Sequence, residues 1–295
     1  MDIYNHQDSN TRKTWFLMTL FFVVIIALGW YFSYVLDSAD ILIFAVIFSV
    51  LMNITSYWYS DKIVLKMSGA HPVTREENPT LWNVVENLSI TAGLPMPKVY
   101  MIDDPSPNAF ATGRNKEHAV VCVTTGLMLI LDRTELEGVV AHELSHIGNR
   151  DILLSTVIVV LVGFISILSN IFLRSLKRKN IGKKGGQAMI IFLLLGIIFA
   201  ILSPIFAKLI QLAVSRKREF LADASGSLLT RYPEGLASAL EKISQNAVPM
   251  ERANNATAHL FIANPFGAKS VSGFRKFFMT HPPVEERIKA LREHH

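Results

Sequence analysis

Four long runs without a charged side chain constrain the fold of this chain more than any other feature of its sequence. Each run has 19 to 22 residues, and at 1.5 Å per residue a helix of that length crosses the apolar core of a bilayer. The runs are Trp15–Leu36, Ile41–Tyr59, Ile152–Leu173 and Ala188–Ala207. Hydrophobic residues make up 51% of the sequence and charged residues only 18%, which argues against a soluble protein. The sequence therefore predicts an integral membrane protein with about four transmembrane helices.

The four runs are arranged as two hairpins. Residues 1–59 form an N-terminal hairpin, because only the acidic turn Asp37–Asp40 separates its two runs. This hairpin lacks a small-residue cleavage site, so it is expected to be an anchor and not a signal peptide. The aromatic residues Tyr57–Tyr59 are typical of a membrane interface. Residues 152–214 form a second hairpin around a basic, glycine-bearing stretch at 174–187.

Two polar stretches, residues 60–151 and 215–295, are expected to fold in water. Asn78–Pro79 has the pattern of a helix N-cap followed by proline. The predicted helices are Thr80–Thr91, Arg133–Gly148, Arg216–Thr230, Pro233–Asn246 and Pro283–Glu293; the predicted strands are Lys98–Ile102 and His118–Val123, and Asp103–Arg114 between them is rich in turn residues. The predicted fold class is therefore α+β, mostly helical, with a small β-sheet.

The stretch Arg133–Gly148 contains the pattern H-E-x-x-H. On a helix, His142 and His146 lie one turn apart and point the same way, so their imidazoles can bind one metal ion. Glu143 lies about 100° round the helix from His142 and can reach a water on that metal. Imidazole and carboxylate ligands with an open coordination position favour zinc. The pattern thus predicts a zinc site on this helix.

Several local features predict that the same stretch is helical. Asp132 and Glu135 have the spacing of a capping box, with Asp in place of the usual Ser or Thr. Apolar residues recur at steps of three and four: Leu136, Val139, Val140, Leu144 and Ile147. Gly148–Asn149 is a plausible C-terminal stop. The apolar stripe is expected to anchor the helix in a core while the histidines face a cleft.

A third metal ligand is needed, and its best source is the stretch at 216–225, RKREFLADAS. Glu219 and Asp223 are four residues apart and therefore share a helix face. Glu219 is placed to bind zinc, while Asp223 is placed to accept a hydrogen bond from a histidine ligand and fix its tautomer. The spacing alone leaves open that this is a solvated helix face.

The distribution of charge bears on the side of the membrane. His142 and Glu219 must meet at one ion, so the chain between them must return to the side it left, by two crossings or none. Arg12 and Lys13 precede the first span, which places the N-terminus inside and both polar stretches in the cytoplasm. The basic residues at 174–187 would then lie outside, against the positive-inside rule. The second hairpin therefore either spans the bilayer, as we expect, or lies partly in the membrane surface or the protein.

Other classes of protein fit the sequence less well. The formal net charge of +5 is modest and no nucleic-acid motif is present, so no nucleic-acid partner is expected. The single cysteine, Cys122, excludes a disulfide within the chain and is expected to be a buried small residue. A transporter or channel with a metal-binding domain would need ionisable residues within its spans, and the four apolar runs contain none.

The motifs together resemble the HtpX family of membrane-integral zinc metalloproteases, which are related to the prenyl-protein endopeptidases. The resemblance begins with His142–His146 followed by Asn149 and Asp151, and continues with Glu219–Asp223. It covers almost the whole chain, and its further motifs are Asn108–Gly113, His259–Ile262 and His281–Arg287. These motifs are highly specific when they occur in this order.

The resemblance implies a zincin-like (gluzincin) catalytic domain that binds one Zn²⁺ per chain, with Glu219 as the third ligand. It implies that His281 and Arg287 face the site, where they are candidates to steady the oxyanion. The residues expected around the ligands are Asp223, Asp151 and Asn149. The residues expected to lead to the strand edge where an extended peptide docks are Asn108, Ala109, Phe110, Ala111, Thr112 and Gly113.

The expected activity is that of a zinc endopeptidase, in which Glu143 takes a proton from the zinc-bound water and delivers it to the leaving amine. By resemblance, the chain acts in protein quality control and stress response in the bacterial cytoplasmic (inner) membrane, with its catalytic domain facing the cytoplasm. Its expected partners are the lipid bilayer and unfolded or damaged membrane proteins. Self-association and association with other membrane proteases stay open, as does the alternative of a narrow-specificity processing or prenyl-protein protease.

Overall fold

The chain forms a helical hairpin followed by a helical domain around one small sheet. A computed structural model describes residues 3–177, Gly196, 216–267 and 282–293. The helices within these ranges are α1 (Ile3–Val35), α2 (Ala39–Trp58), α3 (Ser60–Ser68), α4 (Pro79–Ala92), α5 (Thr125–Ile130), α6 (Arg133–Gly148), α7 (Asp151–Lys177), α8 (Arg216–Thr230), α9 (Pro233–Gln245) and α10 (Val284–Glu293). The strands are β1 (His71–Pro72), β2 (Lys98–Ile102), β3 (Ala109–Gly113) and β4 (Ala119–Thr124).

The first two predicted spans are helices that are long and apolar enough to cross a membrane, over Ser9–Val35 and Ala39–Trp58. α1 begins well before the apolar run that predicted it, and the polar side chain of Asn10 in its early turns is buried against the rest of the protein. The two helices approach closely at Gly29, where a Cβ atom would lie 2.3 Å from the Cβ of Ala45. These helices make the chain an integral membrane protein.

The third apolar run forms α7, and the first half of this helix is buried inside the protein. Leu154, Ile158 and Leu161 are fully buried and pack in one core with residues of α1 and α3. α6 and α7 meet at a bend of 85°, and if this bent pair is one span the described residues contain three spans instead of two. The fourth run, Ala188–Ala207, lies outside the described residues except for Gly196, so the total of four spans stays a prediction.

The sheet has the strand order β1-β2-β4-β3, in which β2 and β4 are parallel and the other two pairs are antiparallel. The predicted strand Lys98–Ile102 is β2, and the predicted strand His118–Val123 begins and ends one residue before β4. The prediction for Asp103–Arg114 was incomplete, because its second half is the edge strand β3. All five residues of β3 are buried, so the strand shows none of the polar–apolar alternation that reveals a half-exposed strand.

β4 separates two apolar cores, because successive side chains of a strand point to opposite faces of the sheet. Val121 and Val123 pack with α4, α6 and α9, whereas Val120 and Cys122 pack with α1, α3 and α7. Cys122 is fully buried, as expected, and burial raises the pKa of its thiol. The sheet thus has the motif helix α6 on one face and the membrane-anchored helices on the other.

The helices predicted in the polar stretches agree with the structure to within one residue at each end. α6 and α8 have the predicted bounds; α4 extends one residue further at both ends, α9 ends one residue earlier, and α10 begins one residue later. The Asn78 side chain caps α4 by accepting a hydrogen bond from the backbone N–H of Leu81, as the sequence predicted. Strong local end signals explain this agreement.

Candidate metal centre

α6, which carries the H-E-x-x-H motif, begins at a capping box. Asp132 Oδ1 accepts a hydrogen bond from the backbone N–H of Glu135 at 3.0 Å, and Glu135 Oε2 accepts one from the N–H of Asp132 at 2.8 Å. The buried Glu135 carboxylate also accepts hydrogen bonds from Ser238 and Lys242 on α9. Burial alone would raise the pKa of Glu135, but these donors hold that pKa below its usual value. The start of α6 is thereby fixed to α9.

α8 approaches the backbone of α6 closely at Gly226. A Cβ atom on this glycine would lie 3.0 Å from the backbone nitrogen of His142, so the residue's lack of a side chain allows the approach. Glu219 lies in the first turn of α8, on the same side as this contact. Close packing of the two helices therefore brings a carboxylate from the C-terminal stretch to the two histidines of α6.

His142, His146 and Glu219 converge on one point. His142 Nε2 lies 3.2 Å from His146 Nε2 and 3.7 Å from Glu219 Oε2, and His146 Nε2 lies 3.8 Å from Glu219 Oε1. Among the described residues these three form a group whose ligand atoms all lie within 4.8 Å of one another. The side chains of His142 and Glu219 are almost completely buried. The arrangement has the spacing that one metal ion requires.

The donor set fits a zinc ion. Ligand atoms about 2.0–2.2 Å from zinc at tetrahedral angles lie roughly 3.3–3.6 Å from one another. The three separations here, between 3.2 and 3.8 Å, bracket that range. Each histidine has its Nδ1 against a carboxylate, which leaves both Nε2 atoms directed at the same point. Two imidazole nitrogens and one carboxylate oxygen leave a fourth coordination position open.

His142 is held by a buried ion pair behind the ligand atoms. Its Nδ1 lies 2.9 Å from Asp223 Oδ1, and Arg287 donates to both oxygens of the same carboxylate, at 2.7 and 2.8 Å. Burial lowers the pKa of His142 to about 4 in spite of Asp223. Burial alone would raise the pKa of Asp223, but the charge and hydrogen bonds of Arg287 keep it far below its usual value. The His142 imidazole is therefore neutral, and it is hydrogen-bonded to an ionised Asp223 carboxylate that is paired with Arg287.

His146 is held by a carboxylate at the start of α7. Its Nδ1 lies 3.1 Å from Asp151 Oδ2. Burial would lower the pKa of His146, but the hydrogen bond to Asp151 and the charge of Glu219 raise it to about 9. Asn149, predicted to lie beside the ligands, is the C-cap of α6. Its backbone carbonyl accepts a hydrogen bond from the side chain of Asn10 at 3.4 Å. A bound cation would compete with the His146 proton, since zinc binds the neutral imidazole.

Glu143 lies beside this group in a cavity of about 30 Å³. The cavity is large enough for a water molecule, and it is also lined by Ala111, His146 and His259. Burial raises the pKa of Glu143 to about 7, and the backbone N–H of Ala111 donates to its carboxylate. In the metal-free protein this carboxyl group therefore titrates near neutral pH.

The outer edge of β3 faces the cavity. The backbone N–H of Thr124 donates to the carbonyl of Asn108 at 2.9 Å. In this register the backbone polar groups of Asn108, Phe110 and Thr112 point towards β4. The polar groups of the alternate residues, Ala109, Ala111 and Gly113, consequently point away from the sheet. The carbonyl of Ala109 is already engaged by the N–H of Ile262 at 2.9 Å. The strand predicted to bind peptide is thus an edge on which the carbonyl of Ala109 is covered by Ile262 and the N–H of Ala111 already donates to Glu143.

The remaining predicted residues are placed as follows. Phe110 and Thr112 point into the protein, where Phe110 packs edge-on against Phe261 and Thr112 is hydrogen-bonded to Thr156. The Asn108 amide is hydrogen-bonded to the backbone of Ala263 at 3.0 and 3.1 Å, so its role here is to join the start of β3 to the segment that follows α9. His281 lies outside the described residues.

Two residues at the site were not assigned a role from the sequence. His259, quoted only as part of a family motif, lines the cavity, and its Nε2 lies 3.1 Å from the carbonyl of Ser155. Asn10 reaches the loop between α6 and α7 from the first membrane helix. In the sequence, Asn10 is only a polar residue just before an apolar span, and local spacing cannot reveal the partner of such a residue.

The sequence matches one protein family along most of its length. The profile of Peptidase family M48 matches residues 75–295. A "Protease HtpX homolog" from Dictyoglomus turgidum is 50% identical over 98% of this chain and 94% of its own length. Proteins with the same name from Caldanaerobacter subterraneus subsp. tengcongensis and Streptococcus gordonii are 46% and 41% identical over 98% and 99% of this chain, and 97% and 99% of their own lengths. The resemblance inferred from the motifs is confirmed.

The fold is similar to that of a solved structure, described as "Crystal Structure of S. mikatae Ste24p". The two structures superpose with a TM-score of 0.52 at 18% sequence identity, over 98% of this chain and 67% of the other. At this identity the likeness concerns the fold alone. It extends over the membrane helices as well as the helical domain.

Proposed function

Because the chain belongs to peptidase family M48, and is thus a membrane-bound metalloprotease, we propose that it is a zinc endopeptidase that degrades misfolded or damaged membrane proteins. The observation that carries the proposal is the convergence of His142, His146 and Glu219 on one point, with Glu143 in the adjoining cavity. Relatives 41–50% identical along almost the whole chain are named proteases, which supports the same chemistry here.

Glu143 is the proposed general base and general acid. A zinc ion held by His142, His146 and Glu219 would lower the pKa of a bound water towards neutrality and polarise the scissile carbonyl. Glu143 accepts a proton from the attacking water and gives it to the leaving amine. Burial raises the pKa of Glu143 to about 7 in the metal-free protein, and the charge of a bound cation would lower this pKa, so that Glu143 would be ionised and ready to accept the proton.

Asp223, Asp151 and Arg287 are proposed as positioning residues. Asp223 and Asp151 accept hydrogen bonds from the Nδ1 atoms of the two histidines, which fixes the tautomers with the Nε2 lone pairs free for the metal. Arg287 was expected to steady the oxyanion, but its Nε and Nη2 atoms both donate to Asp223. We therefore propose that Arg287 acts through Asp223 and keep His281 as the candidate oxyanion donor.

An extended substrate is proposed to add to the outer edge of β3. The outward backbone groups of this strand favour a partner that offers its own main chain, and such pairing tolerates many side chains. Ala111 lies in the cavity wall beside Glu143, so a peptide paired there would pass the metal centre. A peptide that pairs along the whole strand must displace Ile262 from the carbonyl of Ala109 and Glu143 from the N–H of Ala111.

The catalytic part is proposed to form one unit from residues 60–151 and 215–295 on the cytoplasmic side of a bacterial inner membrane, with residues 1–59 and 152–214 as its membrane segments. The contact between α6 and α8 supports this unit, because it joins the two polar stretches at the metal centre. A site attached directly to the membrane helices suits substrates that are themselves membrane proteins.

The test is cleavage of one membrane protein, presented both unfolded and folded to the full-length protein in proteoliposomes. We expect many cuts in the unfolded form, few in the folded form, and none with Glu143→Gln or after zinc removal with a chelator. Restoration of cleavage by added zinc completes the expected result. Equal cleavage by Glu143→Gln would refute the proposed chemistry. A single cut in both forms would indicate a processing protease of narrow specificity.

A further inference from the structure

The first membrane helix makes a polar contact with the metal centre. Asn10 lies near the start of α1, and its side chain is only 3% exposed. Its amide nitrogen donates a short hydrogen bond to Asp151 Oδ1 and a longer one, of 3.4 Å, to the carbonyl of Asn149. The residues it joins are 139 and 141 positions away in the sequence. This contact connects the membrane hairpin with the junction of α6 and α7.

Asp151 transmits that contact to a metal ligand. One oxygen of its carboxylate receives the Asn10 amide, and the other lies 3.1 Å from Nδ1 of His146. Arg218 Nη1 lies 3.7 Å from the same oxygen that Asn10 binds. A carboxylate held at both oxygens has little freedom to rotate. The orientation of the His146 ring therefore depends on what is bound to the far side of Asp151.

We propose that Asn10 is a positioning residue that couples the first membrane helix to the metal centre. By donating to Asp151 Oδ1, Asn10 holds the carboxylate so that its other oxygen fixes the ring of His146, and it thereby strengthens metal binding. This inference rests on the proposed metal site and adds a residue outside the catalytic domain to it. The membrane hairpin is then part of the active centre as well as an anchor.

The surroundings of Asn10 support a specific role for its amide. A buried polar side chain costs free energy unless it is hydrogen-bonded, so an amide kept at a buried position of α1 needs a partner. α1 is also joined to α7 by apolar residues, among them Leu17, Phe21 and Ile158. Because this packing holds the helix independently, loss of the amide is expected to alter the metal centre more than the attachment of α1.

The matched control is a second asparagine in a membrane helix. Asn53 on α2 donates its amide only to the carbonyl of Ser49 in its own helix, among the hydrogen bonds of the described residues. Replacing either asparagine with leucine removes an amide from a membrane helix. Only Asn10→Leu removes a hydrogen bond to a group that touches a metal ligand.

The experiment measures the zinc affinity of full-length protein in detergent by chelator competition, together with the absorption spectrum of the cobalt-substituted protein. Asn10→Leu is expected to weaken zinc binding about 10- to 100-fold, as loss of a group that orients a ligand does. It should also change the cobalt spectrum, while Asn53→Leu leaves both as in the wild type. Zinc binding by Asn10→Leu as tight as that of the wild type would overturn the proposal.

A double-mutant cycle tests whether Asn10 acts through Asp151. In Asp151→Ala the amide has lost its target, so adding Asn10→Leu should weaken zinc binding little further. Full additivity of the two losses would overturn the proposed route. If Asn10→Leu disturbs folding, Asn10→Asp is used in its place, because this isosteric change removes both N–H donors. Unchanged zinc affinity in Asn10→Asp would equally overturn the proposal. Failure of the metal site itself would appear as an absence of zinc in the wild type.

Discussion

Nδ1 of His142 lies 2.9 Å from Oδ1 of Asp223, and the same carboxylate receives two hydrogen bonds from the buried Arg287. One aspartate thus orients a metal ligand and neutralises a buried cation. Loss of the first role should weaken metal binding, and loss of the second should lower stability. Different substitutions can therefore test the two roles separately.

Asp223→Asn is expected to weaken zinc binding about 10- to 100-fold, because the neutral amide is a poorer partner for His142 and lowers the basicity of its Nε2. Chelator competition at fixed pH measures the affinity. The control is Ser227→Ala one turn further along α8, where the lost hydroxyl donates to the backbone carbonyl of Asp223 and not to its carboxylate. Zinc affinity equal to that of the wild type in Asp223→Asn would show that this carboxylate does not orient the ligand.

Arg287→Met is expected to destabilise the metal-free protein by about 3–5 kcal/mol, because it leaves the buried Asp223 carboxylate without its cation. Arg287→Lys should restore only part of the loss, since an ammonium group cannot make the two parallel hydrogen bonds. Denaturant unfolding in detergent measures both. Arg292→Met on the same helix is the control: its ion pair with Glu234 is exposed, so little change in stability is expected. Equal effects at positions 287 and 292 would contradict this account.

Gly226→Ala is expected to reduce zinc affinity, because the added methyl group would press on the backbone of His142 and move α8 away from α6. Glu219 moves with α8, so the ligand atoms separate. Gly163→Ala in α7 is the matched control, since its added Cβ would meet atoms no nearer than 3.7 Å. If both substitutions leave zinc affinity unchanged, the close approach of the helices does not determine the position of Glu219.

Glu135 is expected to make stability depend on pH on the acid side. Its pKa in the folded protein is lowered, so its contribution is complete above the unfolded-state pKa and is lost as pH falls through the folded one. Glu135→Gln should therefore lower the free energy of unfolding by about 1–2 kcal/mol at pH 7 and flatten its decline as pH falls below the unfolded-state pKa of about 4.3. Glu137→Gln, which removes the carboxylate paired with Arg133 at the surface, should change little. Parallel pH curves for wild type and Glu135→Gln would argue against this role.

The parts of the site that depend on local spacing were predictable. The capping box at Asp132 and the helical period defined α6 to the residue, and H-E-x-x-H placed His142 and His146 on one face. Glu219 needed the family resemblance, because nothing in its own segment distinguishes a metal ligand from a solvated carboxylate. The structure adds the distances that bring it to the histidines.

The parts that depend on tertiary contacts were not predictable from spacing. Asn10 is hydrogen-bonded to Asp151, 141 residues away in the sequence, and Arg287 to Asp223, 64 residues away. No local sequence pattern relates either pair. β3 was missed because complete burial on both faces removes the alternation by which strands are recognised. In each case the packing of distant elements determines the role of the residue.

The most direct test of the central claim is the zinc content and proteolytic activity of three purified full-length proteins: wild type, Glu143→Gln and Glu219→Ala. The account predicts about one zinc per chain in the wild type and in Glu143→Gln, and little in Glu219→Ala. It predicts cleavage of an unfolded membrane protein by the wild type alone. Full zinc content in Glu219→Ala, or undiminished cleavage by Glu143→Gln, would contradict it.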